Sequence, residues 1–182
     1  MPCPPVLGFV APSGTGKTTL LTQLIPMLKA ENLHIGIIKH SHHDFEIDRP
    51  GKDSFRLRAS GASPVMLVSP FRRAVITELR PNSSISLASE LAAFPIAGLD
   101  LILVEGFRDN AFPKIELHRP SLGKPPFYCQ DLDHSIVAVA SDEHLSLPNG
   151  LRWLDLNDVQ AIARYVLNDF LKDYRDRSLL PA

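Results

Sequence analysis

The feature that most restricts this chain is a junction near its N-terminus. The apolar run VLGFVA passes directly into PSGTGKT and then into the leucine-rich TLLTQLIPMLKA. A buried strand, a glycine-bearing turn and an amphipathic helix in that order form a unit suited to holding phosphate. Gly14 and Gly16 open backbone conformations closed to other residues and let peptide N–H groups approach an anion. Lys17 adds a positive charge at the β- and γ-phosphates, and the Thr18 hydroxyl can join a Mg²⁺ shell. The helix that starts here turns the positive end of its dipole toward the same anion. Ala11 stands where the pattern ordinarily has its first glycine, a small residue that bears only on the tightness of the first turn. The plainer reading is a Gly-Ser-Thr turn ahead of a helix cap. The position between a strand and a helix, which phosphate binding requires, favours the first reading.

The 182 residues, 45% of them hydrophobic, suit one compact domain with a real core. Residues 1–182 therefore read as a single P-loop nucleotide-binding domain, with no linker that would split off a second. A net charge of -1 offers no broad basic face, which argues against nucleic acid as a partner. No apolar stretch reaches the ~18 residues a membrane span needs, so no membrane partner is expected. Two cysteines, Cys3 and Cys129, make no disulfide framework, and the N-terminal MPCPP lacks the positive region of a signal peptide. The expected location is the cytoplasm.

Continuous apolar strands, LILV and IVAVA, interleave with amphipathic helices. They predict an α/β fold of three layers, the P-loop NTPase type, with a mainly parallel sheet and some antiparallel strands. Strands are expected at Val6–Ala11, Ile35–Lys39, Leu101–Val104, Lys114–His118 and Ile136–Ala140, the one at Lys114–His118 in antiparallel sense. A hairpin is expected around Pro70–Arg73, and helices at Thr18–Ala30 (kinked at Pro26), in SFRLRASGA up to Gly61, at Ser86–Ala93, and after a cap at Asn157.

Three further places carry chemistry. In DLILVEGF, Glu105 follows four apolar residues and so surfaces at a strand end beside the phosphates. A carboxylate there can hold Mg²⁺ or orient an attacking water; the alternative is a polar residue where a buried strand meets solvent. Asp100, at the other end of that strand, reads as structural. After the second strand comes a run rich in His and acid, with Lys39, His40, His42, His43, Asp44 and Asp48. It reads as a nucleotide- or substrate-facing loop, as a solvated loop, or as a zinc site, although its spacing matches no closed four-ligand set. Asp142, just past IVAVA, could accept hydrogen bonds from the N1–H and amino group of guanine or could serve a turn; the full Asn-Lys-x-Asp element is absent.

Taken together, VLGFVAPSGTGKTTLL, GIIKHSHHDFEIDRPGKDSFRLRASGA, LDLILVEGF and IVAVASD resemble, in the same order, the molybdopterin-guanine dinucleotide biosynthesis protein B family. The resemblance runs from about Leu7 to Leu171, and its IKHSHHD…PGKDS run is far more specific than the glycine loop. It implies a GTP-binding P-loop protein with weak GTPase activity, usually a homodimer, using GTP and Mg²⁺. It implies as partner the molybdopterin guanylyltransferase that attaches GMP to molybdopterin, and brings in molybdopterin as a further candidate ligand. Carried over by motif, Ser13, Gly14, Thr15, Gly16, Lys17, Thr18 and Thr19 form the phosphate loop. Lys39, His40, His43, Asp44 and Asp48 fall on the charged segment, and Glu105 on the second acid. Residue chemistry and resemblance together give the expected roles: catalysis for Glu105 and Lys17, nucleotide contact for the loop with Lys39, His40, His43 and Asp142, and Mg²⁺ for Thr18, Asp44 and Glu105.

Two rival classes stand beside this reading. An ATP-dependent small-molecule kinase would need a lid with several arginines, and Arg56, Arg58, Arg72 and Arg73 form no obvious one. A pure binding module would bind nucleotide and never hydrolyse it.

Overall fold

The computed structural model describes residues 3–41, 43–80, 83–130, 135–148 and 150–178. Along the chain run β1 (Val6–Val10), α1 (Lys17–Ala30), β2 (Ile35–Lys39), α2 (Asp53–Ala59), β3 (Val65–Val68), β4 (Arg73–Ile76), α3 (Leu87–Ala93), β5 (Leu101–Glu105), β6 (Lys114–His118), β7 (Ile136–Ser141), β8 (Arg152–Asp155) and α4 (Val159–Tyr165). A single wider turn, Val166–Phe170, joins α4 to α5 (Leu171–Ser178). The elements gather into two compact units, one of Met1–His40 with Ser86–Ala182 and one of Ser41–Ile85.

In the larger unit six strands pair in the order β2-β5-β1-β6-β7-β8. Every neighbouring pair is parallel. All five residues of β5 are buried, as expected of a central parallel strand covered on both faces. On one face Leu20, Leu21, Leu24 and Leu28 of α1 pack with Ile162, Val166 and Phe170 over Leu7 and Leu103. On the other, Leu87 and Phe107 pack with Ile102 and Val104. This is the expected three-layer α/β arrangement. The β2-β5-β1 order places β5 between two strands that precede it by more than sixty residues, so the end of β5 opens directly beside the loop after β1.

Two local expectations need correction. The strand at Lys114–His118 is parallel, not antiparallel. Its alternation of charged and apolar residues suggests one wet face, yet Lys114, Glu116 and His118 are all buried. The Glu116 carboxylate accepts from the backbone N–H groups of Phe127 and Tyr128 at 2.6 and 2.8 Å, so its polarity is satisfied internally. The cap of α4 is Asp158, whose Oδ1 accepts from Ala161 N at 2.8 Å, one residue beyond Asn157. Edge strand β8 was not expected: its polar ends hide a strand in which only Leu154 is buried. Helix α1 continues through Pro26 to Ala30, without the bond a backbone N–H would donate there. Asp100 is structural as expected, accepting from His34 N at 2.8 Å, a bond that holds its carboxyl below the usual range.

In the smaller unit β3 and β4 pair as the expected antiparallel hairpin. Helix α2 stops at Ser60, followed by Gly61 at φ +99°. Arg58 joins two carboxylates, Asp48 at 3.0 Å and Glu78 at 2.6 Å, tying α2 to the segment before it and to the chain after β4. The Asp48 side chain is only 7% exposed, so its charge depends on this partner. We expect Arg58→Ala to raise amide hydrogen exchange through residues 43–80 while the six-stranded sheet keeps its protection. Unchanged exchange in the hairpin would show that the pair does not hold this unit.

Candidate functional site

The loop after β1 is built from its own bonds. Thr15 is buried and its hydroxyl donates to Pro12 O at 2.9 Å, bracing the turn from inside. Gly14 and Gly16 sit at φ +82° and +105°, in the left-handed region that only glycine adopts without strain. A Cβ at Gly14 would meet nothing within 4 Å, so the loop's outer face is open. Lys17, the first residue of α1, folds back over this face: Nζ donates to Ala11 O at 2.8 Å and Pro12 O at 3.2 Å.

Parallel pairing sets the second half of the site. Glu105 lies in register with Phe9 of β1 on one side and with Lys39 of β2 on the other. Lys39 Nζ lies 3.3 Å from Glu105 Oε1. The Thr18 hydroxyl stands 3.4 Å from both carboxylate oxygens, a long contact for a hydrogen bond. Glu105 is 8% exposed, and a buried carboxylate needs such partners. Beyond it the chain turns sharply, with Gly106 at φ +105° and Phe107 at +51°. The Phe107 ring stacks on His40 at 4.4 Å, and a Cβ on Gly106 would come within 2.9 Å of the His40 Cβ. A bulky residue held at positive φ is backbone strain, found where the surroundings enforce it.

Lys17 carries an electrostatic signature of the site. Burial lowers its pKa from the ordinary 10.5, Glu105 works in the opposite sense, and Lys39 adds to the lowering. A bound phosphate favours the charged ammonium and raises that pKa, so binding takes up a proton in the alkaline range. Phosphate affinity is therefore expected to be flat at neutral pH and to fall as pH climbs toward 10.5, beginning below it. A calorimetric titration in buffers of different ionisation enthalpy checks this; affinity unchanged up to pH 10.5 would remove Lys17 from the contact.

At the other end of the loop stands Arg119, just past β6. Its Nε donates to Thr15 O at 3.0 Å and its Nη1 to Asp142 Oδ2 at 2.6 Å. Sequence reasoning missed it, although an arginine one residue past a buried strand follows the same logic that singled out Glu105. Asp142 is thus brought to the phosphate loop through an arginine. The expected nucleotide contacts Ser13, Gly14, Thr15, Gly16, Lys17, Thr18 and Thr19 fall in the loop and the first turn of α1, with Lys39, His40 and Glu105 at the neighbouring strand ends.

The rest of the charged segment belongs to the smaller unit. There His43 and Asp44 are exposed; the Asp44 carboxylate accepts from Phe45 N at 2.9 Å, and Asp48 is the ion-pair partner of Arg58. His42 lies outside the described residues. Among the described residues, no three His, Cys, Asp or Glu side chains gather in a way that would hold a metal, and no helix is long and apolar enough to cross a membrane.

The family described as molybdopterin guanine dinucleotide synthesis protein B matches residues 6–142. The chain is 44% identical over 163 residues to the molybdopterin-guanine dinucleotide biosynthesis adapter protein of Escherichia coli (strain K12), spanning 90% of this chain and 91% of that one. It is 41% identical over 165 residues to the Haemophilus influenzae adapter protein, spanning 90% and 88%. A crystal structure of molybdopterin-guanine biosynthesis protein B superposes with a TM-score of 0.72 at 27% identity, over 92% of this chain and 99% of that one.

Proposed function

Because this chain belongs to the molybdopterin guanine dinucleotide synthesis protein B family, we propose that it is a GTP-binding adapter in molybdopterin-guanine dinucleotide biosynthesis, with weak GTPase activity. The observation that carries nucleotide binding is the convergence of Lys17, Thr18 and Glu105 at one sheet edge, beneath an open glycine loop. Thr18 and Glu105 offer hard oxygen donors of the kind Mg²⁺ takes. When bound, Mg²⁺ would neutralise charge on the β- and γ-phosphates. The protein's own groups do the rest. The loop amides cradle the phosphates, Lys17 leaves the Ala11 and Pro12 carbonyls for the phosphate oxygens, and Glu105 orients the attacking water. Lys39, released from Glu105, is a second cation for the triphosphate.

The proposed partner is the guanylyltransferase that joins GMP to molybdopterin, and the proposed state is a homodimer. The kinase alternative is not favoured, since the matched relatives are adapter proteins. Calorimetry with GTP, ATP and molybdopterin, joined to a phosphate-release assay and a reconstituted guanylyl-transfer assay, tests the proposal. GTP should bind in preference to ATP, be hydrolysed slowly, and accompany stimulated transfer. Equal binding of ATP with no stimulation would overturn it.

A further inference from the structure

An open cleft of about 320 Å³ runs from the glycine loop past Thr19 and Gln23 of α1 to Leu156 and Asn157 after β8, with Arg119 on one side. Its size falls at the lower end of the ~300–1,000 Å³ of small-molecule sites. The walls combine three apolar side chains (Leu20, Leu156 and Val159), two amides and a planar cation, chemistry suited to a flat heteroaromatic ring with polar edges. They are fixed to rigid elements: Leu156 N donates to Ser141 O at 3.0 Å, and Asn157 N to Asp155 Oδ1 at 2.8 Å.

Arg119 is held more firmly still. Two of its in-plane donors are taken, Nε by Thr15 O and Nη1 by Asp142 Oδ2, so the plane of the guanidinium is set by the protein. It keeps three N–H donors, one on Nη1 and two on Nη2, and offers a ligand its flat face, the surface that stacks on aromatic rings. One oxygen of Asp142 is bound and the other is enclosed. Oδ2 is bound to Arg119, and Oδ1 is enclosed by protein and has no hydrogen-bond partner. An atom that water does not reach is not one a guanine edge reaches while Arg119 stands in place.

Resting on the GTP reading above, we infer that this cleft takes the purine nucleoside of the nucleotide, that Arg119 stacks on the base, and that Asp142 is a positioning residue acting through Arg119. The Thr15 carbonyl anchors Arg119, while the turn of the phosphate loop is braced separately by the Thr15 hydroxyl on Pro12 O at 2.9 Å.

Calorimetry in Mg²⁺ with GTP, ATP and inorganic tripolyphosphate separates the two halves. Arg119→Ala should weaken GTP about tenfold, the worth of one desolvated cation–π contact, and leave tripolyphosphate within about twofold. Asp142→Ala should weaken GTP alone but add nothing in the Arg119→Ala background, as expected of residues acting as one unit. Asn157→Trp, at an exposed position where folding is spared, should block GTP and keep tripolyphosphate. Equal losses of GTP and tripolyphosphate in Arg119→Ala would make Arg119 a phosphate contact and overturn the subsite. A GTP-over-ATP preference that Asp142→Ala still erodes without Arg119 would make Asp142 the direct reader and overturn its positioning role. Failure of the phosphate reading is seen elsewhere: the parent itself would bind neither GTP nor tripolyphosphate in a Lys17-dependent way.

Discussion

Glu105→Gln is expected to cut GTP hydrolysis by at least about 100-fold, the scale of a positioned acid–base group, while GTP still binds. The amide preserves the side chain's volume beneath the Thr18 hydroxyl, so the strand end keeps its shape. It removes the charge that pairs with Lys39 at 3.3 Å and that would polarise water or attract a cation. Without Mg²⁺ the two effects separate. A negative charge close to the triphosphate is gone and Lys39 is released toward it, so GTP affinity in metal-free buffer should hold or rise. Single-turnover phosphate release, together with calorimetry with and without Mg²⁺, measures both. A variant that hydrolyses GTP at the parent's rate would leave Glu105 as a buried partner of Lys39 and nothing more.

The second large effect is Lys17→Ala, which should weaken GTP roughly 10- to 100-fold, the equivalent of the 1.5–3 kcal/mol of a charge-assisted hydrogen bond. The fold should survive. Alanine is a good helix former, and the bonds given up, from Nζ to Ala11 O and Pro12 O, are to partly buried carbonyls of a loop whose turn is braced separately by Thr15. Tripolyphosphate should lose the same factor as GTP, since the contact proposed for Lys17 is to phosphate alone. Unchanged affinity for both ligands in a folded variant would falsify the phosphate assignment.

Much of the proposed phosphate half of the site is legible in the chain itself because its chemistry is local. The strand, the turn and the helix are consecutive, and the spacing of Gly14, Gly16, Lys17 and Thr18 already places the cation and hydroxyl on one end of α1. The apolar runs at Leu101 and Ile136 are long enough to demand burial on both faces, which implies a parallel sheet between helix layers. Even Glu105 follows from its position alone, as the first acid past a buried strand.

What the chain does not carry by itself is adjacency. Nothing in local pattern says that β5 inserts between β1 and β2, and it is that order which puts Glu105 beside both Thr18 and Lys39. Strand direction at β6 was equally hidden, because the Glu116 carboxylate is satisfied by backbone N–H groups more than ten positions away. The pairing of Arg119 with Asp142, 23 residues apart, exists only because β6 and β7 are parallel neighbours ending at the same edge. Local propensity and burial pattern act over a turn of helix or a strand. Which strand lies next to which is decided by packing the whole sheet, so the loop and its lysine belong to the sequence, and the neighbours that complete the site belong to the tertiary fold.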